Sequence, residues 1–220
     1  MRVPLFVEMQ GKSVLIIGGG GEGVNRARKF SRAGASVKVL SIEFSEELKE
    51  MDGVELIEGD ARDEDLLDKL MEGMDLVVVA LPTAEQNESV IRLAKKHGAL
   101  VNLANDAEAT EVVVPFEDRV GSVRLAITSE GRSGLVVRDM LRELRDCLSA
   151  KKELFSLMDL MYRLKLHMKS IGVDPRTRIR VYHIVYADER FRELVRRGDE
   201  RKAWERVEEI LQGVLDHALS

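Results

Sequence analysis

The run Ser13 to Ile17, SVLII, leads directly into GGGGEG and then into an amphipathic stretch reaching Ala33. This junction constrains the fold more than any other part of the chain. A β-branched apolar run favours an extended strand, and the glycines behind it permit a tight turn into a helix. Gly34 closes that helix, as glycine commonly does just past a helix end. Ser36 to Leu40 is then a second apolar run. Strand, glycine loop, helix and strand make a βαβ unit.

The pattern repeats more weakly. Val54 to Ile57 reads as a strand, Asp63 to Met71 as a charged helix and Leu76 to Ala80 as a strand. A helix from Ala84 to His97 ends at Gly98, and Ala99 to Asn102 is one more strand. Strands without apolar–polar alternation, separated by helices, imply a parallel sheet covered on both faces. Two strand-like runs follow, Val112 to Val114 and Val123 to Ile127, with a polar turn containing Gly121 between them. A helix is expected over Ser133 to Leu148. From Lys151 onward Leu, Met and charged residues recur at helical spacing, interrupted at Pro175, and Gly198 precedes a last helix ending near His217. The expected fold is α/β: a Rossmann-like doubly wound parallel sheet over residues 1–112, a small α+β dimerisation unit over 113–148 and a helical domain over 149–220.

Composition narrows the functional classes. The formal charge of −5 argues against a whole-surface nucleic-acid binder. Cys147 stands alone, so neither an intramolecular disulfide nor an all-cysteine metal site is expected. The histidines at 97, 167, 183 and 217 lack short metal-ligand spacing, and no metal site is expected. No apolar run approaches the ~20 residues that span a bilayer. The first apolar strand also begins too early to leave room for a signal peptide. A cytoplasmic protein without membrane attachment is the natural expectation.

Gly18, Gly20 and Gly23 satisfy GxGxxG after a strand and at the opening of a helix. One glycine allows the turn, another lets backbone approach a pyrophosphate, and the third allows close helix–strand packing. The helix N-terminus offers free N–H groups and partial positive charge to phosphates. The loop Gly18–Gly19–Gly20–Gly21–Glu22–Gly23 is therefore the candidate dinucleotide site. Glu43 lies about 20 residues further on, where an acid accepts hydrogen bonds from the adenosine ribose. With no arginine beside it, Glu43 favours NAD over NADP, although it is equally placed to be an ordinary first-turn helix residue. Leu81, Pro82 and Thr83 follow the strand ending at Ala80, and together with Asn87 they are candidates for the nicotinamide half. A plain loop with Thr83 as helix cap is the competing reading.

Beyond these features the chain resembles the precorrin-2 dehydrogenase family, the N-terminal module of siroheme synthases. The resemblance lies in VPLFVEMQGKSVLIIGGG at the start and in VNLANDAEATEVVVPFEDRVGSVRLAITSEGRSGLVVRDMLREL, Val101 to Leu144. It spans roughly residues 2 to 148. The resemblance implies NAD-dependent oxidation of precorrin-2 to sirohydrochlorin, with ferrous iron insertion in some members, and a homodimer paired through the region after the sheet. It places cofactor contacts at Gly21, Glu22, Ile42 and Glu43, and a substrate-side serine at Ser129 in the loop Thr128 to Ser133, which also holds Arg132 and Ser133. The family's catalytic aspartate position falls on Asn105, with Asp106 next to it.

A carboxylate base suits an oxidation that removes a hydride and a proton, and a neutral amide cannot take that proton. Either Asp106 takes the role through a small shift of the loop, or the base is dispensable, or activity is lost; Asp106 is the candidate base, and Asn105→Asp is expected to preserve or raise activity. The pair also reads as two plain turn residues. A macrocycle rich in carboxylates calls for basic partners, of which Arg132, Arg176, Arg178 and Arg180 are examples in the second half. Two other functions stay open at this point: a non-catalytic NAD-binding regulator and a tetrapyrrole carrier without turnover.

Overall fold

The structure, a computed structural model, describes residues 2–219, with side chains through residue 216. In chain order the elements of the first part are β1 (Ser13–Ile17), α1 (Gly21–Arg32), β2 (Ser36–Ser41), α2 (Glu46–Lys49), β3 (Val54–Glu58), α3 (Glu64–Met71), β4 (Leu76–Val79), α4 (Asn87–His97) and β5 (Leu100–Leu103). They are followed by β6 (Phe116–Val120), β7 (Val123–Ile127), α5 (Gly134–Ser149), α6 (Lys152–Ser170), α7 (Pro175–Ala187), α8 (Glu189–Arg196) and α9 (Glu200–Leu219).

The first five strands form one parallel sheet in the order β3-β2-β1-β4-β5. Side chains alternate between the faces of a strand, and here both faces are buried. Leu15 and Ile17 point into a core with Leu67, Met71, Val90 and Leu93 from α3 and α4. Val14 and Ile16 point the other way, against Val24, Ala27, Phe30 and Leu48 from α1 and α2. This two-sided burial is why the central strands β1 and β4 read as unbroken apolar runs, and the parallel sheet between helices bears out the doubly wound α/β expectation.

Helix boundaries follow local chemistry. Gly34 and Gly98 adopt φ of +83° and +73° just past α1 and α4, where a side chain would be strained. Asp63 caps α3 by accepting the Leu66 N–H at 3.0 Å. Two expectations need correction. The α4 helix starts at Asn87, because residues 84–86 form a tight turn closed by the Asn87 N–H on the Ala84 carbonyl at 3.0 Å. Val112 to Val114 is not a strand. Val112 donates its N–H to the Val101 carbonyl at 2.9 Å, and Val112 and Val114 pack on the sheet as irregular chain. The two-stranded sheet pairs β6 with β7, so its first strand lies beyond Pro115.

The chain divides into two compact units. One comprises residues 1–116 and 127–137, and the other residues 117–126 and 138–220. The second is mainly helical. Its core joins Leu157, Leu160, Leu164 and Met168 of α6 to Val181 and Val185 of α7, Phe191 of α8, and Trp204 and Val207 of α9. Pro175 does not break a helix there but opens α7 at its first position, with Asp174 accepting the Arg176 and Thr177 N–H groups at 3.0 and 3.2 Å. Proline suits that position because its missing N–H would have no helical partner.

Candidate cofactor and substrate site

At the centre of the sheet β1 lies between β2 and β4, Ile17 being level with Leu40 on one side and Val79 on the other. From β1 the chain crosses to one face and from β4 to the other. That reversal opens a crevice at the carboxyl ends of the strands. The glycine loop sits at this point, with Gly18 N–H donated to the Leu40 carbonyl at 2.8 Å.

The glycines divide into two groups. At Gly18, φ +115°, a Cβ would lie 2.7 Å from the Ala80 carbonyl oxygen, and at Gly19 it would lie 2.5 Å from the Glu43 carbonyl oxygen. At Gly23 it would collide with the Gly18 carbonyl oxygen. These three glycines let the loop, the ends of β2 and β4, and helix α1 meet closely. Gly20 and Gly21, in contrast, border open space. There, backbone without side chains faces outward at the start of α1, whose first N–H groups have no helical acceptors. Gly20 is the N-cap and supplies no side-chain cap. This open cradle with its outward N–H groups fits the pyrophosphate of a dinucleotide. Glu22 stands at its edge, paired with Arg26 at 2.5 Å.

Ser41, at the end of β2, holds the loop in place by accepting the Gly19 N–H on Oγ at 3.0 Å. The same oxygen accepts the Glu43 N–H at 3.4 Å. Ile42 and Glu43 are exposed immediately beyond it, on the turn whose backbone packs against Gly19. Arg28, the nearby cation on α1, is committed to Glu47. Sequence reasoning singled out Ile42 and Glu43 and missed Ser41, which carries no motif of its own.

Across the crevice, Leu81, Pro82 and Thr83 leave the end of β4. Asn105 gathers this segment: its Nδ2 donates to the Leu81 carbonyl at 3.2 Å and to the Thr83 carbonyl at 2.5 Å. Its Oδ1 accepts the Nδ2 of Asn87, a buried residue at the first turn of α4, at 3.0 Å. The structure thus brings Leu81, Thr83, Asn87 and Asn105 together. Thr83 makes no cap: the α4 N-cap is Gln86, without a side-chain bond.

Asp106 Oδ1 accepts the N–H groups of Glu108 and Ala109, both at 3.0 Å, so the residue shapes its own turn and keeps a second carboxylate oxygen. The loop 128–133 lies against that turn, since a Cβ at Gly131 would collide with Ala107. Within this loop Ser129 Oγ accepts the Ser133 N–H at 3.1 Å, and Ser133 Oγ accepts the Val136 N–H at 3.4 Å at the start of α5. Both hydroxyl protons remain available to donate. Glu130 holds φ +53°, unusual for a residue with a side chain. Arg132 is exposed. Arg2, missed in the sequence, spans both loops: its Nη2 donates to the carbonyls of Ala107, Glu108 and Thr110, and its Nη1 lies 3.5 Å from Glu130.

Among the described residues no group of three His, Cys, Asp or Glu side chains could hold a metal ion. No helix among them is long and apolar enough to cross a membrane. In the helical unit Arg176, Arg178 and Arg180 form no ion pair among the described residues, whereas Arg196, Arg197, Arg201 and Arg206 on α8, α9 and the turn between them all do.

Fold and glycine loop together define a dinucleotide-binding protein. The sequence model of the family described as "Putative NAD(P)-binding" matches residues 5–116, and the chain belongs to that family. Among curated proteins it is similar to the "Putative precorrin-2 dehydrogenase" of Methanocaldococcus jannaschii, 26% identical over 210 residues covering 92% of this chain and 98% of the relative. It is also similar to "Siroheme synthase 2" of Aeromonas salmonicida, 27% identical over 99% of this chain but 43% of the relative. The chain thus spans less than half the length of that synthase. Among solved structures, "SirC, precorrin-2 dehydrogenase" matches with a TM-score of 0.69 at 20% identity, covering 94% of this chain and 100% of that one. At that identity the match speaks for the fold.

Proposed function

We propose that the chain catalyses the NAD-dependent oxidation of precorrin-2 to sirohydrochlorin. One observation carries the reading: the turn of Asn105 and Asp106 and the serine loop 128–133 meet, and Asn105 is bonded to the segment leaving β4 beside the glycine loop. The names of the similar proteins, one of which this chain covers almost completely, support it.

In this reading Gly20, Gly21 and the N–H groups opening α1 hold the pyrophosphate, Glu43 takes the adenosine ribose and exposed Ile42 flanks the adenine. Leu81, Pro82, Thr83 and Asn87 border the nicotinamide half. A nicotinamide held there would supply the hydride-acceptor chemistry for the oxidation of precorrin-2. The accompanying proton goes to a base, and Asp106 has a carboxylate oxygen not used by its own turn. Ser129 and Ser133 donate hydroxyls, and Arg132 a guanidinium, to the carboxylates of the macrocycle. Atoms and electrons balance as precorrin-2 and NAD⁺ giving sirohydrochlorin, NADH and a proton.

NAD is preferred to NADP, because Glu43 would repel a 2′-phosphate and Arg28 is already paired. Residues 113–148 act as a dimerisation segment. The exposed apolar side chains of Leu135, Val136, Met140 and Leu144 on α5 support that role. The site of action is the cytoplasm. The test is incubation of the purified chain with precorrin-2 and NAD⁺ under anaerobic conditions. NADH should appear in step with the visible bands of sirohydrochlorin. A regulator or carrier would bind its ligand and leave the spectrum of precorrin-2 unchanged. Adding ferrous iron as a second substrate tests whether the chain continues to siroheme.

A further inference from the structure

The surroundings of Asn105 fix which way its amide points. Turning it over would set Oδ1 against the carbonyl oxygens of Leu81 and Thr83, two acceptors facing a third. With Nδ2 toward those carbonyls, Oδ1 requires a donor, and the Nδ2 of Asn87 supplies it. Asn87 is thereby oriented as well. Its own Oδ1 is buried without a hydrogen-bond partner, in a residue only 6% exposed.

Position 105 therefore asks for donors on one side and an acceptor on the other. An amide meets both demands, whereas an ionised carboxylate offers acceptors alone. We infer that Asn105 is a positioning residue that clamps the segment Leu81–Thr83 to the β5 loop, and that position 105 in this chain is not the place of the proton acceptor. The inference rests on the proposed reading of Leu81–Thr83 as the border of the nicotinamide half. It reverses the expectation that Asn105→Asp would preserve or raise activity.

The two roles predict opposite pH dependence for Asn105→Asp. Charged side chains on the segments that meet there are Asp106 and Glu108 on the same loop, Glu85 and Glu88 before and within α4, and Arg2 and Glu130 beside the 107–110 turn. Facing two carbonyl oxygens, an introduced carboxyl is favoured in its neutral form, and its folded pKa lies above its unfolded one. The variant is then closest to the parent in acid and loses stability relative to it as pH rises past the unfolded value. A proton acceptor at 105 would instead gain activity as pH rises.

The experiment measures melting temperature, the KM for NAD and kcat from pH 5 to 8 for the parent, Asn105→Asp, Asn105→Ala and Asn105→Ser. For Asn105→Ala we expect KM for NAD to rise about ten-fold, on the scale of one lost hydrogen bond with carbonyls left unpaired, with a smaller change in kcat. Asn105→Ser keeps one donor and should fall between parent and Ala at every pH. For Asn105→Asp the melting deficit should widen toward pH 8. An Asn105→Asp variant whose activity climbs with pH to or above the parent's would overturn the inference, as would Asn105→Ala with parental KM and melting temperature. A parent chain that binds no NAD would refute the proposed function instead, and the melting curves would still test the clamp.

Discussion

Ser41 accepts the Gly19 N–H on its hydroxyl oxygen at 3.0 Å, joining the end of β2 to the middle of the glycine loop. The bond ties the proposed pyrophosphate cradle to the turn that carries Glu43. Removing it in Ser41→Ala should weaken NAD binding about ten-fold, the scale of one hydrogen bond plus a buried donor left unpaired. Titration calorimetry would show this. Unchanged affinity would mean that Gly19 is held by packing alone.

Glu43 is exposed at the edge of the same loop and has no cation beside it in sequence. NAD should bind more tightly than NADP, and Glu43→Ala should narrow the difference chiefly by improving NADP. Competition calorimetry with both cofactors tests this. Equal affinities in the parent chain would remove Glu43 from the ribose site.

Asp106 offers a clean separation of turn from base. Asparagine at 106 keeps an Oδ1 to accept the N–H groups of Glu108 and Ala109, but it cannot take a proton. Asp106→Asn should therefore leave melting temperature and NAD affinity close to the parent and lower turnover by roughly 10²–10⁴-fold. Parental turnover in this variant would point to proton loss through solvent or through the substrate itself.

How far the sequence carries differs between these residues. Gly18, Gly23, Gly34 and Gly98 are legible because a positive φ or a close backbone approach at each leaves no other residue type. The central strands β1 and β4 are legible because burial on both faces demands unbroken apolar runs. Ser41, Arg2 and the amide orientation of Asn105 are not, because each acts through partners far away in the chain: Arg2 reaches carbonyls 105 to 108 residues on. The run Val112 to Val114 misleads for a related reason. Its valines are apolar because they cover the sheet, not because they pair in one.

On α5, Val136, Met140 and Leu144 recur every fourth residue and are 51%, 50% and 46% exposed, with Leu135 beside them at 71%. Side chains four apart share a helix face. Light scattering at micromolar concentration should give twice the monomer mass, and Met140→Glu with Leu144→Glu should return the monomer. A monomeric parent would exclude this face as a two-fold contact.

In the helical unit, Asp188 caps α8 through the Phe191 N–H at 2.7 Å and pairs with Arg206 of α9 at 2.7 Å. The Arg206 guanidinium, aided by that N–H, holds the carboxyl below the usual carboxylate range. A lowered folded pKa stabilises the protein above the unfolded value, and the contribution fades as pH falls through the folded one. Asp188→Ala should cost about 1–3 kcal/mol at neutral pH, from a lost cap and the loss of one of the two carboxylates paired with Arg206. The deficit should shrink below about pH 4. Denaturant melts at pH 7 and pH 3 would show it, and a deficit independent of pH would assign the loss to packing.

The dinucleotide-binding unit is not continuous in sequence: residues 127–137 return to it after the chain has left at 116. On a ribosome the five-stranded sheet can assemble once β5 has emerged. The 106–110 turn then waits for Gly131 to arrive beside Ala107, and Arg2, among the first residues made, waits for both loops. The cofactor cradle is thus an early product of synthesis and the serine loop a late one. A chain released between residues 116 and 127 would carry the residues proposed to hold the nucleotide without those proposed to meet the macrocycle.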